Sequence, residues 1–125
     1  MDSEHKGQKY MSEIKIKLYV EPGDSLFLKD DKIYVVKDKK KHIYKVSSIQ
    51  TILIVTTDQG PFLADTVMAI ALDNYTVIFM MSEHECYAPF LFDQIGKVLT
   101  IDYQKAIEAA SCTENNTFVI YSREY

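Results

Sequence analysis

The segment Ile49 to Thr57 reads Ile-Gln-Thr-Ile-Leu-Ile-Val-Thr-Thr and is β-branched almost throughout. Branching at Cβ restricts side-chain rotamers in a helix and favours extended backbone. A half-buried strand alternates apolar with polar residues, whereas a run nearly free of polar residues reads as a strand covered on both faces. The chain is therefore expected to hold a sheet with this segment at its centre.

Candidate neighbours precede it. Glu13 to Glu21 alternates cleanly, with Ile14, Ile16, Leu18 and Val20 on one face and Lys15, Lys17 and Tyr19 on the other. Pro22-Gly23 then supplies the central pair of a type II turn. Leu26–Leu28, Lys32–Val36 and His42–Val46 read as a β-meander, joined by Asp30-Asp31 and by the polar tip Asp38-Lys39-Lys40-Lys41. After the central run, Asp58-Gln59-Gly60-Pro61 forms a loop. Thr66–Leu72 and Tyr75–Met81 flank Asp73-Asn74, a two-residue hairpin turn. The alanine-rich stretch Val67–Ala71 also permits a helix continuing from Phe62, and only the hairpin signal favours the strand.

Beyond Glu85 the texture changes. Pro89 suits a first helical position, and Leu91, Ile95 and Val98 follow at helical spacing, with Gly96 weakening the helix. Asp102 is an N-cap for a second short helix carrying Tyr103, Ala106, Ile107 and Ala110 on one side. Ser111–Asn116 breaks it, and Thr117–Tyr121 returns as a last strand. The expected class is α+β: a mostly antiparallel curved sheet or partial barrel of about seven to eight strands, with two short C-terminal helices. A pleckstrin-homology-like barrel also has seven strands and a terminal helix, but the extra final strand departs from it.

At 125 residues the chain fits one domain, expected over 12–125 behind a flexible polar tail at 1–11. That start lacks the apolar core of a signal peptide, and no apolar run approaches the roughly 20 residues that cross a bilayer. The expected location is the cytoplasm. Cys86 and Cys112 form no metal or redox motif and are expected as buried free thiols.

Charge divides the chain. Residues 1–50 hold 11 lysines against 8 acidic residues, and residues 51–125 hold 3 basic against 10 acidic. Asp58, Asp65, Asp73, Glu83, Glu85 and Asp93 surround the loops after the central strands, with tyrosines among or near them. Acidic and phenolic groups together suit docking of a basic protein; ordinary acidic loops beside half-buried tyrosines are the competing explanation. The tip at Lys37, Lys39, Lys40, Lys41 and His42 would attract phosphates. Against specific phosphate or nucleic-acid recognition stand the single arginine, Arg123, and the lack of aromatic residues within the tip.

Catalytic and metal signatures are missing. His84-Glu85-Cys86 places two ligand types on one strand face, yet no pair has helical or C-x-x-C spacing. There is no nucleophile elbow, P-loop or dinucleotide fingerprint, so neither a cofactor nor catalytic residues are expected. Two carboxylates brought together by folding would still give a catalytic cleft without any such motif.

The stretch Val55-Thr56-Thr57-Asp58-Gln59-Gly60-Pro61-Phe62-Leu63-Ala64-Asp65 and the ending Ser111-Cys112-Thr113-Glu114-Asn115-Asn116-Thr117-Phe118-Val119 resemble a group of small uncharacterised bacterial proteins, in outline over roughly residues 32–122. These are similar in style to toxin-immunity proteins. The resemblance implies a non-catalytic inhibitor that plugs a toxin's active site, and no residue is carried over from it; the Gly-Pro-Phe segment itself reads as setting a loop and burying Phe62. Three readings follow. The first is a protein-binding domain, immunity-type, holding a basic partner through Asp58, Asp65, Glu83, Glu85 and Asp93. The second is a membrane-surface or phospholipid adaptor using Lys37, Lys39, Lys40 and Lys41. The third is a small-ligand binder or small enzyme with a pocket between sheet and helices.

Overall fold

In the computed structural model, which describes residues 14–58 and 66–123, the β-branched run forms strand β5 (Ile49–Thr56). The expectations for the 1–11 tail, the loop at 59–61, the burial of Phe62 and Asp65 lie outside the described residues. Strands β6 (Thr66–Leu72) and β8 (Asn116–Ser122) flank β5, both antiparallel to it. The segment from 66 is thus a strand, and the helical alternative there is set aside.

Beside β6 runs β7 (Thr76–Met81), and beyond it β1 (Ile16–Val20), giving the order β1-β7-β6-β5-β8. The pair β1–β7 is parallel, with Ile16 opposite Thr76 and Val20 opposite Met80. Strands β2 (Ser25–Lys29), β3 (Lys32–Lys37) and β4 (Lys40–Lys45) form the expected meander as a separate antiparallel sheet. The expectation of one curved sheet or partial barrel is therefore corrected to two sheets without closure. The chain leaves the larger sheet at Glu21–Asp24 and returns to it only through a 3₁₀ turn at Val46–Ser48.

Turn chemistry explains the connections. Gly23 has φ +95° and the Asp24 amide donates to the Glu21 carbonyl at 2.9 Å, as a type II turn with Pro22-Gly23 at its centre requires. Asp30-Asp31 and Asp38-Lys39 all have positive φ, the signature of tight two-residue hairpins whose twist matches the strands. The latter pair lets β4 begin at Lys40, so Lys40 and Lys41 belong to a strand rather than to a loop tip. The β6–β7 turn is longer than expected: it spans Asp73, Asn74 and Tyr75, and Tyr75 takes φ +61°.

One core lies between the two sheets. It takes Leu18 and Val20 from β1, Ile52 and Ile54 from β5, Met68, Ile70 and Leu72 from β6, and Ile78 and Met80 from β7. Leu26, Ile33 and Val35 meet them from the smaller sheet. Ile16, expected on this face, is 48% exposed at the sheet's edge. A bulge in β8 places Tyr121 opposite Ile52 and Val119 opposite Leu53, so that Ile120 and Tyr121 both reach the core.

Helical segments close the core. Pro89–Gln94 is wound as a π-helix, followed by a 3₁₀ turn at Ile95–Lys97. The wider turn keeps Phe90, Leu91 and Ile95 on the buried side. Val98, expected to join them, is 39% exposed because the winding has changed before it. Gly96 has a specific function here: a Cβ at this position would meet the Tyr103 hydroxyl at an impossible 1.9 Å. That hydroxyl donates to the Leu91 carbonyl at 3.0 Å, tying the two helical segments together.

Helix α1 (Tyr103–Ala110) starts as expected, with the Asp102 side chain accepting from the Lys105 amide at 3.1 Å. Its buried stripe is Ala106 and Ala109 beside half-buried Tyr103, whereas Ile107 is 60% exposed and Ala110 is exposed. The expected stripe is thus rotated onto Ala106 and Ala109, which join the core. Among the described residues no helix is long and apolar enough to cross a membrane.

Candidate functional site: an open apolar sheet face with an acidic end

All the helical segments and the smaller sheet contribute to one face of the five-stranded sheet. The opposite face is built by the alternate residues of each strand. Cross-strand register places Tyr19, Phe79, Ala69, Leu53 and Val119 in one row across all five strands. Met81, Val67, Val55 and Thr117 form a second row toward one end, and Lys17, Val77, Ala71, Thr51 and Ser122 a third toward the other. Lys17 is the one charge among these fourteen residues.

An antiparallel sheet with one wet face normally carries polar residues there. Here ten of the fourteen are apolar, and the face is partly open: Ala69 and Val77 are buried among their neighbours, and the rest are half-buried or exposed. Tyr19 is 51% exposed and Met81 44%, while Leu53, Val55, Val67 and Phe79 are half-buried by one another. The rings of Tyr19 and Phe79 stack at 5.2 Å. The expectation that β5 is covered on both faces is therefore corrected: Ile52, Ile54 and Thr56 are buried, but Val55 lines an open groove and Leu53 beside it is only half-buried.

The end of that groove is acidic. Register puts the C-terminal ends of β1, β7 and β5 and the N-terminal ends of β6 and β8 at the same end of the sheet. Glu21, Glu83, Glu85 and Asp58 follow those strand ends, all exposed. The apolar groove, lined by Tyr19, Pro22, Val55, Val67, Phe79 and Met81 among others, shares Val20, Pro22 and Met81 with a hollow that Glu83, His84 and Glu85 border. Neither Glu83 nor Glu85 has a cationic partner among the described residues. Asp58 lies two strands away from β7, roughly 10 Å across the sheet. Asp93 is not part of this group: it sits in the π-helical segment, near Tyr103 on the other side of the core.

His84 shapes the acidic end. Its Nδ1 accepts from the Cys86 amide at 3.0 Å, which leaves Nε2 to donate to the Glu21 carbonyl at 3.0 Å. Both ring nitrogens are thereby used to hold the turn after β1 against the loop after β7. Thr56 likewise donates to the Glu114 carbonyl at 2.6 Å, and the Asp58 amide donates to Asn115 Oδ1 at 3.1 Å, fixing the loop before β8. Both cysteines are free thiols and partly buried rather than fully so.

Glu21 was not among the expected acidic residues, because its place at the end of an alternating strand marked it as a boundary. Lys37 explains part of its environment. The Lys37 ammonium donates to Glu21 at 3.2 Å, to the Tyr19 carbonyl at 2.6 Å and to Asp24. Burial pulls the Lys37 pKa down, but its hydrogen bonds to Asp24 and Glu21 outweigh this and raise it overall. Of the four lysines expected to bind phosphate, Lys37 is thus engaged within the protein, while Lys39, Lys40 and Lys41 are exposed.

Two carboxyls are held below their ordinary value of 3.8: Asp24 by Lys37 and the Glu21 amide, and Asp73 by Arg123 and Gln50. A depressed carboxyl contributes stability that is complete above its unfolded pKa and is lost as pH falls through its folded one. The melting temperature is therefore expected to fall by a few degrees below about pH 4, and Asp24→Asn with Asp73→Asn should flatten that acid limb. A pH series of thermal melts checks this; an acid limb unchanged in the double variant would place its origin elsewhere.

A depression between sheet edge and helix, lined by Val98–Asp102, Lys105 and Val119–Ser122, holds one carboxylate, Asp102, which caps α1. No carboxylate pair forms there. The domain is thus α+β, with a helix-backed core face and, among the described residues, a partly open and mostly apolar face on its principal sheet. No family model, no curated protein and no solved structure matches the chain.

Proposed function

We propose that the chain is a non-catalytic protein-binding domain that receives an apolar segment of a basic protein on the open face of its five-stranded sheet. The observation that carries this reading is the continuity of the groove at Tyr19, Phe79 and Met81 with the carboxylates of Glu83 and Glu85, which have no cationic partner among the described residues. Apolar area supplies affinity, and the acidic end steers a cationic partner and sets its direction. An immunity-type inhibitor fits the same surface, with Asp58, Glu83 and Glu85 standing in for phosphates at the mouth of a toxin's cleft.

Capture from native lysate, with washes at low and high salt, tests the acidic half of the proposal. One basic protein should be retained at equal stoichiometry, and Asp58→Lys with Glu83→Lys and Glu85→Lys should weaken its binding by more than about tenfold. Affinity unaffected by the triple reversal would remove the acidic end from the mechanism.

A further inference from the structure

We infer that the outer face of the three-stranded sheet docks the protein on an anionic phospholipid bilayer. Leu26, Ile33 and Val35 point to the core, so the alternate residues of β2, β3 and β4 point outward. Register aligns Phe27, Tyr34 and Ile43 in one outward row and Lys29, Lys32 and Lys45 in the next, with Lys41 on the other side beside Val36. Ile43 is 48% exposed, and all four lysines are exposed.

The lysine row is the informative feature. Like charges directly opposite one another on neighbouring strands are destabilising. Lysines that only protect a sheet edge belong on edge strands, yet Lys32 lies on β3, the middle strand. Asp30 and Asp31 occupy the adjoining turn, but among the described residues no carboxylate reaches salt-bridge distance of Lys29, Lys32, Lys41 or Lys45. A row of unneutralised cations beside an apolar row matches a surface that presents phosphate above hydrocarbon.

The aromatic geometry favours a bilayer over a single-stranded nucleic acid. The rings of Phe27 and Tyr34 stack at 5.1 Å and 4°, about the spacing of neighbouring strands. Each ring thus spends one face on the other, which leaves less ring face for bases to stack upon. Arginine, the residue suited to forked phosphate contacts, is missing from this face.

Co-sedimentation with phosphatidylcholine vesicles, with and without phosphatidylserine, tests the inference on the full chain. Binding is expected only with phosphatidylserine and is expected to weaken at high salt. At about fivefold per lysine, Lys29→Gln with Lys32→Gln and Lys45→Gln should weaken it by about a hundredfold, with the melting temperature unchanged or raised. The natural chain contains no tryptophan, so Ile43→Trp adds a sole reporter whose emission should shift to the blue on vesicles. Absent binding to phosphatidylserine vesicles, equal binding by the triple variant, or an unshifted emission in the bound state would each overturn the inference. So would a single-stranded oligonucleotide that displaces the vesicles through the same lysines. Glu83→Lys with Glu85→Lys, on the other sheet, should leave vesicle binding undiminished, which separates this surface from the protein-binding groove.

Discussion

Phe90→Ala is expected to destabilise the fold by about 3–5 kcal/mol. Phe90 is completely buried in the π-helical segment and belongs to the core shared by both sheets. The same segment is bound to the smaller sheet by the Leu28 amide, which donates to Gln94 Oε1 at 2.8 Å. Losing the ring removes its transfer free energy and leaves a cavity in the shared core. For a domain of this length the melting temperature should drop by about 10–20 °C, out of a total stability of about 5–15 kcal/mol. Phe92 is the internal control. It is 48% exposed and stacks on Tyr103 at 5.7 Å, so Phe92→Ala should cost no more than about 1.5 kcal/mol. Denaturant titration of the two variants separates them, and equal losses would contradict the assignment of the core.

Phe79→Asp is expected to have a different signature: a moderate loss of stability with the fold retained, and a loss of partner affinity of about a hundredfold or more. Phe79 occupies the row between Tyr19 and Ala69, at the middle of the open groove. In the free protein an aspartate there keeps partial access to water, and its cost is the lost stack on Tyr19 and the lost packing of a half-buried ring. Under a bound apolar segment the same carboxylate would be dry and unpaired, which is far more expensive. The substitution therefore discriminates a surface that is merely apolar from one that is covered in use.

Much of the fold can be read residue by residue. Alternation marked β1, the Pro22-Gly23 pair marked its turn, and Asp102 marked the start of α1, because each depends on local geometry. The parallel pairing of β1 with β7 could not be read, since alternation says which face a residue takes and nothing about its partner. The rotated stripe of α1 and the β8 bulge were hidden for a related reason: Ile107 or Ala109, and Val119 or Tyr121, fit a buried face equally well until the opposing surface is known. Residues Asp58, Glu83 and Glu85 were identifiable as charges on loops, but their convergence at one sheet end follows from strand order. The groove itself was concealed by its own chemistry. Val55 reads as buried because it is apolar, and a sequence does not distinguish an apolar residue packed in the core from one left on an open face.

Measurement of one partner's affinity for the natural chain, Phe79→Asp and Ile43→Asp tests the protein-binding proposal most directly, with sedimentation reporting whether the chain also binds itself. The account predicts that a basic protein binds the natural chain and Ile43→Asp alike, and that Phe79→Asp loses it by about a hundredfold or more while remaining folded. Equal affinity of Phe79→Asp and the natural chain would contradict the account, as would self-association through this face that excludes the basic partner.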